Sequence, residues 1–326
     1  MVKTEFDIIS VGDATLDIFI RVTEASIMCS EDRSTCLLCF NYADKIPIER
    51  LDRSVAGNAA NNAVGSARLG MKTAFYSIVG DDETGQAVIE TMKKEKVSLK
   101  YLRVDKGKLS NYSVVLNYRA ERTILTHSEP RTYKPMHFGP AGWVYFTAIG
   151  KNHDKLLQDI VDHVRRTETR LAFNPGSYQL RQGLDKLLPT LKETSILFLN
   201  KEEGGMLVGK QLGMDALLRA LKETGPEIVV VTDGPRGANA FDGHKMWSIG
   251  VFPVKVVEMT GAGDSFATAF IAALHYNLPL TEALRWGSAN SASVVGEIGP
   301  QAGLLNLKGM KQMLRRFTRV KPKELK

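Results

Sequence analysis

The chain reads as an α/β protein: a mostly parallel central sheet flanked by helices, with a small β-sheet lid. Three observations predict this. Short segments apolar on both faces recur along the chain and end in Gly or polar residues. Helix-length segments of 10–15 residues separate them, the rhythm of βαβ units and a sheet covered on both sides. Two polar, alternating stretches, 16–50 and 101–130, break that rhythm without helical period.

The elements follow in order. Segment 6–12 is the first strand, running from Phe6 to Gly12, and 73–79, 143–147, 170–173, 195–199 and 227–232 read the same way. Segments 58–69, 84–96, 154–165 and 214–222 carry the helical pattern between them. Residues 111–126 read as two strands around the turn from Tyr118 to Glu121. An alternating pair of this kind buries one face only, so the insertions are placed as a lid over the C-terminal edge of the main sheet, where open α/β folds bind ligands. No Pro/Gly/Ser linker and no internal repeat divides the 326 residues, so one domain is expected over 1–326.

Composition narrows the function classes. Hydrophobic residues make up 44% and charged residues 24%, as in a globular domain. Apolar runs are far too short for a bilayer span of about 20 residues. The net charge of +7 is carried entirely by 308–326, a basic C-terminal helix and tail with eight cations and one acid. The rest of the chain is neutral and the cationic end reads as a solvated edge, so no groove for nucleic acid is expected. Cys29, Cys36 and Cys39 suit a reducing compartment, and the apolar strand begins by Phe6 with no leader pattern before it. A cytoplasmic protein is expected.

The strongest motif is Glu258-Met259-Thr260-Gly261-Ala262-Gly263-Asp264-Ser265-Phe266, which runs into an apolar helix. Glycines let the backbone turn tightly and approach a ligand. The free N–H groups and dipole of the helix start attract an anion. A carboxylate beside that anion is placed to take a proton from an attacking hydroxyl, the geometry of phosphoryl transfer. The competing reading makes Asp264 a helix cap, which Asp does well, and the motif alone leaves the two even. Further motifs join it. Ala56-Gly57-Asn58-Ala59-Ala60-Asn61-Asn62-Ala63 opens a helix with amides suited to a polyol or, in the plainer reading, with small residues for close packing. Gly12-Asp13-Ala14-Thr15-Leu16-Asp17 sets two carboxylates past the first strand, where they can accept from sugar hydroxyls. Asn200-Lys201-Glu202-Glu203 and Thr232-Asp233-Gly234-Pro235-Arg236-Gly237 each follow a strand.

With these motifs in order from residue 8 to about 305, the chain resembles the ribokinase family, also called the PfkB carbohydrate kinases. The resemblance implies a ribokinase-like three-layer fold and ATP-dependent phosphorylation of a sugar hydroxyl. Asp264 matches the catalytic base, and the backbone N–H groups of Gly261, Ala262 and Gly263 match the anion hole. Asn200 and Glu203 match an Asn-x-x-Glu that orders phosphates and the water shell of Mg2+. Thr232, Gly234 and Gly237 match the nucleotide turn, and Asn290 the position near the adenine. Asp17, Gly57 and Asn61 match sugar-holding positions, with Asp13 beside them and Asn58 where some members carry Lys. Ala120-Glu121-Arg122-Thr123 is similar to the family's Gly-Glu-Arg-Thr on the lid hairpin. Glu258 stands where many members carry an Asp near a monovalent-cation site, which raises potassium as a cofactor beside ATP and Mg2+.

Three other motifs are set aside. The run from Gly204 to Gln211 nearly spells a P-loop, but Gln211 replaces the hydroxyl that holds magnesium. Gly261-Ala262-Gly263 lacks the third glycine of a dinucleotide fingerprint and comes late in the chain. Cys36-Leu37-Leu38-Cys39 has no second ligand pair for zinc and reads as lid packing. Two alternatives to a sugar kinase stay open: a nucleoside kinase, with Phe19, Phe40 and Tyr42 as stacking candidates, and a non-catalytic sugar-binding regulator. A sugar phosphate is disfavoured because Asn58 brings no positive charge. Exposed lid edges suggest a homodimer.

Overall fold

The computed structural model describes residues 4–32, 35–119, 121–134 and 136–325. The chain enters through β1 (Phe6–Val11) and crosses into β2 (Thr15–Val22), β3 (Ser26–Cys29), β4 (Cys36–Cys39) and β5 (Ile48–Ala56). It returns through α1 (Asn58–Arg68), β6 (Thr73–Tyr76), β7 (Ile78–Gly80) and α2 (Glu83–Lys94). Then come β8 (Arg103–Asp105) and the hairpin β9 (Asn111–Tyr118) and β10 (Glu121–His127). Alternation resumes with β11 (Ala141–Phe146), α3 (Asp154–Arg166), β12 (Arg170–Phe173), α4 (Ser177–Arg181), α5 (Leu184–Leu191) and β13 (Thr194–Asn200). It continues with α6 (Lys201–Val208), α7 (Met214–Glu223) and β14 (Ile228–Thr232). The last part holds β15 (Ala238–Phe241), β16 (Met246–Ile249), α8 (Ala262–His275), α9 (Leu280–Val294), α10 (Leu307–Arg316) and β17 (Lys323–Leu325).

The main sheet has nine strands in the order β17-β16-β15-β14-β13-β12-β11-β1-β6. From β6 to β14 all pairs are parallel; β15, β16 and β17 are antiparallel. The parallel strands are apolar throughout because both faces are buried: Val229 and Val231 point into one core, and Val230 into the other. The first core is closed by α3, α5, α6 and α7, the second by α8, α9 and α10. This is the three-layer α/β arrangement the alternation predicts. No helix among the described residues is long and apolar enough to cross a membrane.

A separate four-stranded sheet is ordered β10-β9-β2-β5. Of its strands, β2, β9 and β10 fall essentially within the two stretches that lack helical period, whereas β5 (Ile48–Ala56) runs past the boundary expected at residue 50. Because β9 lies parallel to β2 while β5 and β10 are antiparallel to their neighbours, segments distant in sequence form one surface.

Two expectations are corrected. The thiols read as reduced packing are instead paired: Cys29 bonds to Cys36, leaving Cys39 free. The antiparallel register sets Cys29 directly opposite Cys36, with Cα atoms 4.0 Å apart, and spacing in sequence does not reveal that register. The basic C-terminus is more than a solvated tail. Met310 is fully buried, Phe317 and Val320 pack on the core, and β17 adds an edge strand pinned by Lys245 and Glu324 at 3.2 Å. Its cations face water while alternate residues dock, and Lys326 lies outside the described residues.

The near P-loop is helix rather than loop. Gly204 and Gly205 are buried inside α6, and Gly209 is its left-handed C-cap at φ 67°.

Candidate active site

The start of α8 organises the site. Gly261 takes a left-handed conformation (φ 80°) as the N-cap residue, where a Cβ would press into Pro300. A residue with a side chain would be strained there. Asp264 falls in the first helical turn and makes no capping bond, so the capping explanation of this carboxylate fails. Its Oδ2 instead accepts a 2.8 Å hydrogen bond from Asn61 Nδ2, 203 positions away on α1. Gln301 donates in turn to Asn61 Oδ1 at 3.2 Å. Asp264 is 8% exposed. Burial pushes its pKa up to about 6, against the Asn61 hydrogen bond, and the charges of Glu203 and Asp17 add to the rise. A carboxylate poised there works as a base near neutral pH.

Two cavities meet over this helix start. One, of about 290 Å3, is polar and lined by Asn58, Asn174, Asn200, Glu203, Asp264 and Arg122. The other, also about 290 Å3, is mostly apolar, with walls from Gly237, Val251, Phe252, Val254, Ala292 and Val295. They share Thr232, Met259, Ala262, Gly263 and Phe266. A Cβ added at Gly263 would touch nothing, so its backbone borders open space. The Ala262 N–H reaches Met259 O only at 3.4 Å. An anion at the junction would meet weakly committed N–H groups and the positive end of a 14-residue helix.

Around this centre the predicted residues take definite places. Asn200 caps α6 through a reciprocal pair: its Oδ1 accepts from the Glu203 N–H at 2.8 Å, and its own N–H donates to Glu203 Oε2 at 2.9 Å. Burial raises the Glu203 pKa. Thr232 ends β14, and Gly234 and Gly237 form the following turn at φ 52° and 91°. A Cβ on Gly237 would overlap the Ile249 carbonyl. Gly57 (φ 99°) is the N-cap of α1, and a Cβ there would overlap the Asp13 carbonyl. Asn58 starts α1 and faces the polar cavity. Asp17 is buried on β2, accepts from Thr15 Oγ1 at 2.7 Å, and has a pKa raised first by burial, with Glu258 adding to the rise. Arg122 of the hairpin lines the polar cavity; Ala120 of that motif lies outside the described residues.

Two assignments change. Asn290 is fully buried, with both ends of its amide committed: Nδ2 donates to Ser265 O at 2.8 Å, and Oδ1 accepts from the Leu305 N–H at 2.9 Å. It braces α9 against α8, while Ser288, Ser291 and Ala292 of the same helix line the apolar cavity. Asp13 accepts from Tyr133 Oη at 2.8 and 2.9 Å and from the Gly150 N–H at 2.8 Å. Its carboxyl ties the loop after β1 to the loop after β11, and burial pushes its pKa up to about 6. The donors that occupy it sit 120 and 137 positions away, beyond the reach of local sequence reading.

Asn174, Gln301 and the 251–256 wall escaped the sequence reading, since none belongs to a recognisable motif. Glu258 is 8% exposed; its Oε1 takes both donors of Thr260, at 2.9 and 2.6 Å, while Oε2 is buried without a hydrogen-bond partner. Of the stacking candidates, Phe19 is buried on β2, whereas Phe40 and Tyr42 are exposed beyond the β3–β4 hairpin.

Known proteins resemble the chain over most of its length. The chain is 22% identical over 330 residues to an ATP-dependent 6-phosphofructokinase of Thermoanaerobacterium thermosaccharolyticum, covering 95% of this chain and 94% of that protein. It is 28% identical over 243 residues to a fructokinase of Klebsiella pneumoniae, covering 69% and 78%. A solved Arabidopsis thaliana ribokinase complexed with ribose and ATP shares the fold, with a TM-score of 0.78 at 21% identity over 95% of this chain and 99% of that one. The family model for pfkB family carbohydrate kinases matches residues 22–306. The chain belongs to the pfkB family of carbohydrate kinases.

Proposed function

We propose that this protein transfers the γ-phosphoryl group of ATP to a hydroxyl of a sugar. The observation that carries the reading is the meeting of a polar and an apolar cavity over the α8 N-terminus, with the buried, base-competent Asp264 on the polar side. The adenine packs among the apolar walls, and the phosphates run to the helix start. The N–H groups of Gly261, Ala262 and Gly263 stabilise charge on the transferred phosphoryl. The sugar lies between Asp17 and Asn58 beneath the four-stranded sheet, which acts as a lid; Asn61, expected as a sugar contact, has its amide committed to Asp264 and Gln301 and sits behind the base instead. Asp264 accepts the proton of the attacking hydroxyl, and Asn61 orients that carboxylate. Positioning and the anion hole supply most of the rate, with about 10²–10⁴ from the base.

The site fits Mg2+ held through water: Asn200 and Glu203 offer hard oxygen donors on the polar side. The buried, unpartnered Glu258 Oε2 fits a monovalent cation such as K+. When bound, Mg2+ neutralises phosphate charge and the monovalent ion balances Glu258. We place the protein in the cytoplasm, where ATP is supplied; there the Cys29–Cys36 pair would be reduced. We further propose that a homodimer forms through the free edges of the lid, which light scattering showing a 36.0 kDa species would contradict.

The test is ADP release from Mg-ATP across ribose, fructose, glucose, sugar acids, sugar phosphates and nucleosides, with Asp264→Asn as the control. Turnover on one class, lost in the variant, supports the reading. Nucleoside turnover alone would replace it with a nucleoside kinase. ATP binding with no transfer to any acceptor would leave a non-catalytic sugar-binding regulator.

A further inference from the structure

The inner face of the small sheet carries a row of cations. Register places Arg50 of β5 opposite Arg21 of β2, Arg21 beside Asn117 of β9, and Asn117 opposite Arg122 of β10. All four line one cavity of about 400 Å3, joined by Arg119 from the hairpin turn. The two-residue period of β2 puts Asp17, Phe19 and Arg21 on the same face. The row therefore shares its face with Asp17, four residues or about 13 Å further along the strand. Phe19 forms the floor between them. Arg122 belongs to both this cavity and the polar cavity of Asp264.

This arrangement is costly without a counter-charge, because like charges directly opposite on a sheet repel. Part of the cost is offset within the sheet: Arg21 pairs with Glu49 at 3.2 Å, and Arg50 with Asp52 at 2.6 Å. Arg122 and Arg119 have no carboxylate partner among the described residues; Arg119 only stacks 5.2 Å from the Tyr118 ring. The acids lining the cavity are Asp52 and Glu258, against four guanidinium groups. Guanidinium forks match phosphate and carboxylate geometry, and no neutral hydroxyl uses them as fully.

We infer that the acceptor is an anionic sugar whose phosphate or carboxylate is held by Arg122, with Arg119 and Arg21 beside it, while its opposite end meets Asp264. The inference rests on the kinase reading for its orientation. It also removes the objection drawn from Asn58: the positive charge arrives from the lid strands rather than from the start of α1. The two anionic groups share this recognition chemistry, and the test separates them.

Dissociation constants measured by calorimetry for fructose, fructose 6-phosphate, glucose and gluconate decide the matter, with wild type, Arg122→Gln and Arg122→Lys. An anionic member should bind at least about tenfold more tightly than its neutral counterpart, and more weakly at high salt. Arg122→Gln should weaken that member by about tenfold to a hundredfold and leave the neutral sugar unchanged. Arg122→Lys, which keeps the charge and loses the fork, should recover part of the loss. Preference for fructose 6-phosphate assigns a phosphate, and preference for gluconate a carboxylate. Neutral sugars binding as tightly as the anionic ones, no anionic member binding below millimolar, or a preference that survives an Arg119→Gln/Arg122→Gln double variant would each overturn the inference. ADP release is recorded in parallel. Arginine-dependent binding without ADP formation would sink the kinase reading and leave the anion site standing.

Discussion

The Asn61–Asp264 contact gives the sharpest prediction. The base must be ionised, so activity should fall as pH drops through the Asp264 pKa, pushed up to about 6. The Asn61 amide favours the ionised form through one 2.8 Å bond. A hydrogen bond to a charged group is worth about 1.5–3 kcal/mol, or roughly one to two pH units. Asn61→Ala should therefore move the acid limb of kcat/KM from about pH 6 to about pH 7–8. At pH 6.5 the ionised fraction would drop from about three quarters to about a tenth, an eightfold loss, whereas near pH 9 most activity should survive. The assay is direct quantification of ADP from pH 5 to 9.5, free of coupling enzymes with their own pH limits. An acid limb unmoved by Asn61→Ala, or a loss equal at every pH, would refute the claim that this amide tunes the base.

Asp264→Asn should lower kcat at least about a hundredfold with ATP binding intact, as measured by nucleotide titration. The same variant should be more stable at alkaline pH. A carboxylate whose folded pKa rises from 3.8 to about 6 destabilises the fold once pH exceeds that range, by up to about 3 kcal/mol. Melting at pH 8 should show a gain of several degrees that shrinks by pH 4. Asp17→Ala should raise the KM for sugar far more than that for ATP, and equal effects would count against its sugar-side place. Gly57→Ala forces a side chain into φ 99° and onto the Asp13 carbonyl, so it should cost at least about 1–3 kcal/mol in chemical denaturation. Glu258→Gln removes the charge on a buried oxygen without a hydrogen-bond partner; any activation by K+ over choline should vanish with it.

Much of the architecture was legible in the linear chain because its causes are local. Parallel strands buried on both faces must be apolar at every position, which is why 227–232 and 195–199 stand out as β14 and β13. Amphipathic helices announce themselves by period, and α3 and α7 match their expected spans within a residue. Gly261 marks a backbone position only glycine tolerates, and a carboxylate three residues on, at Asp264, points to chemistry at that turn. Edge strands such as β15, β16 and β17 are short and half polar, so they carry no such signal.

What only the tertiary structure decided depends on partners far away in the chain. Asp13 and Asp17 are similar acids four residues apart, yet one is occupied by Tyr133 and Gly150, and the other faces Glu258 and the lid interior. Asn290 and Asn61 are both buried amides on helices; one braces two helices and the other holds the Asp264 carboxylate. Arg21, Arg50 and Arg122 lie up to 101 positions apart in the sequence, and only strand register brings them into one row. Burial, hydrogen-bond occupancy and electrostatic crowding are sums over neighbours from distant segments. The sequence by itself determined the elements and the chemistry on offer; packing decided which of those groups remain free to act.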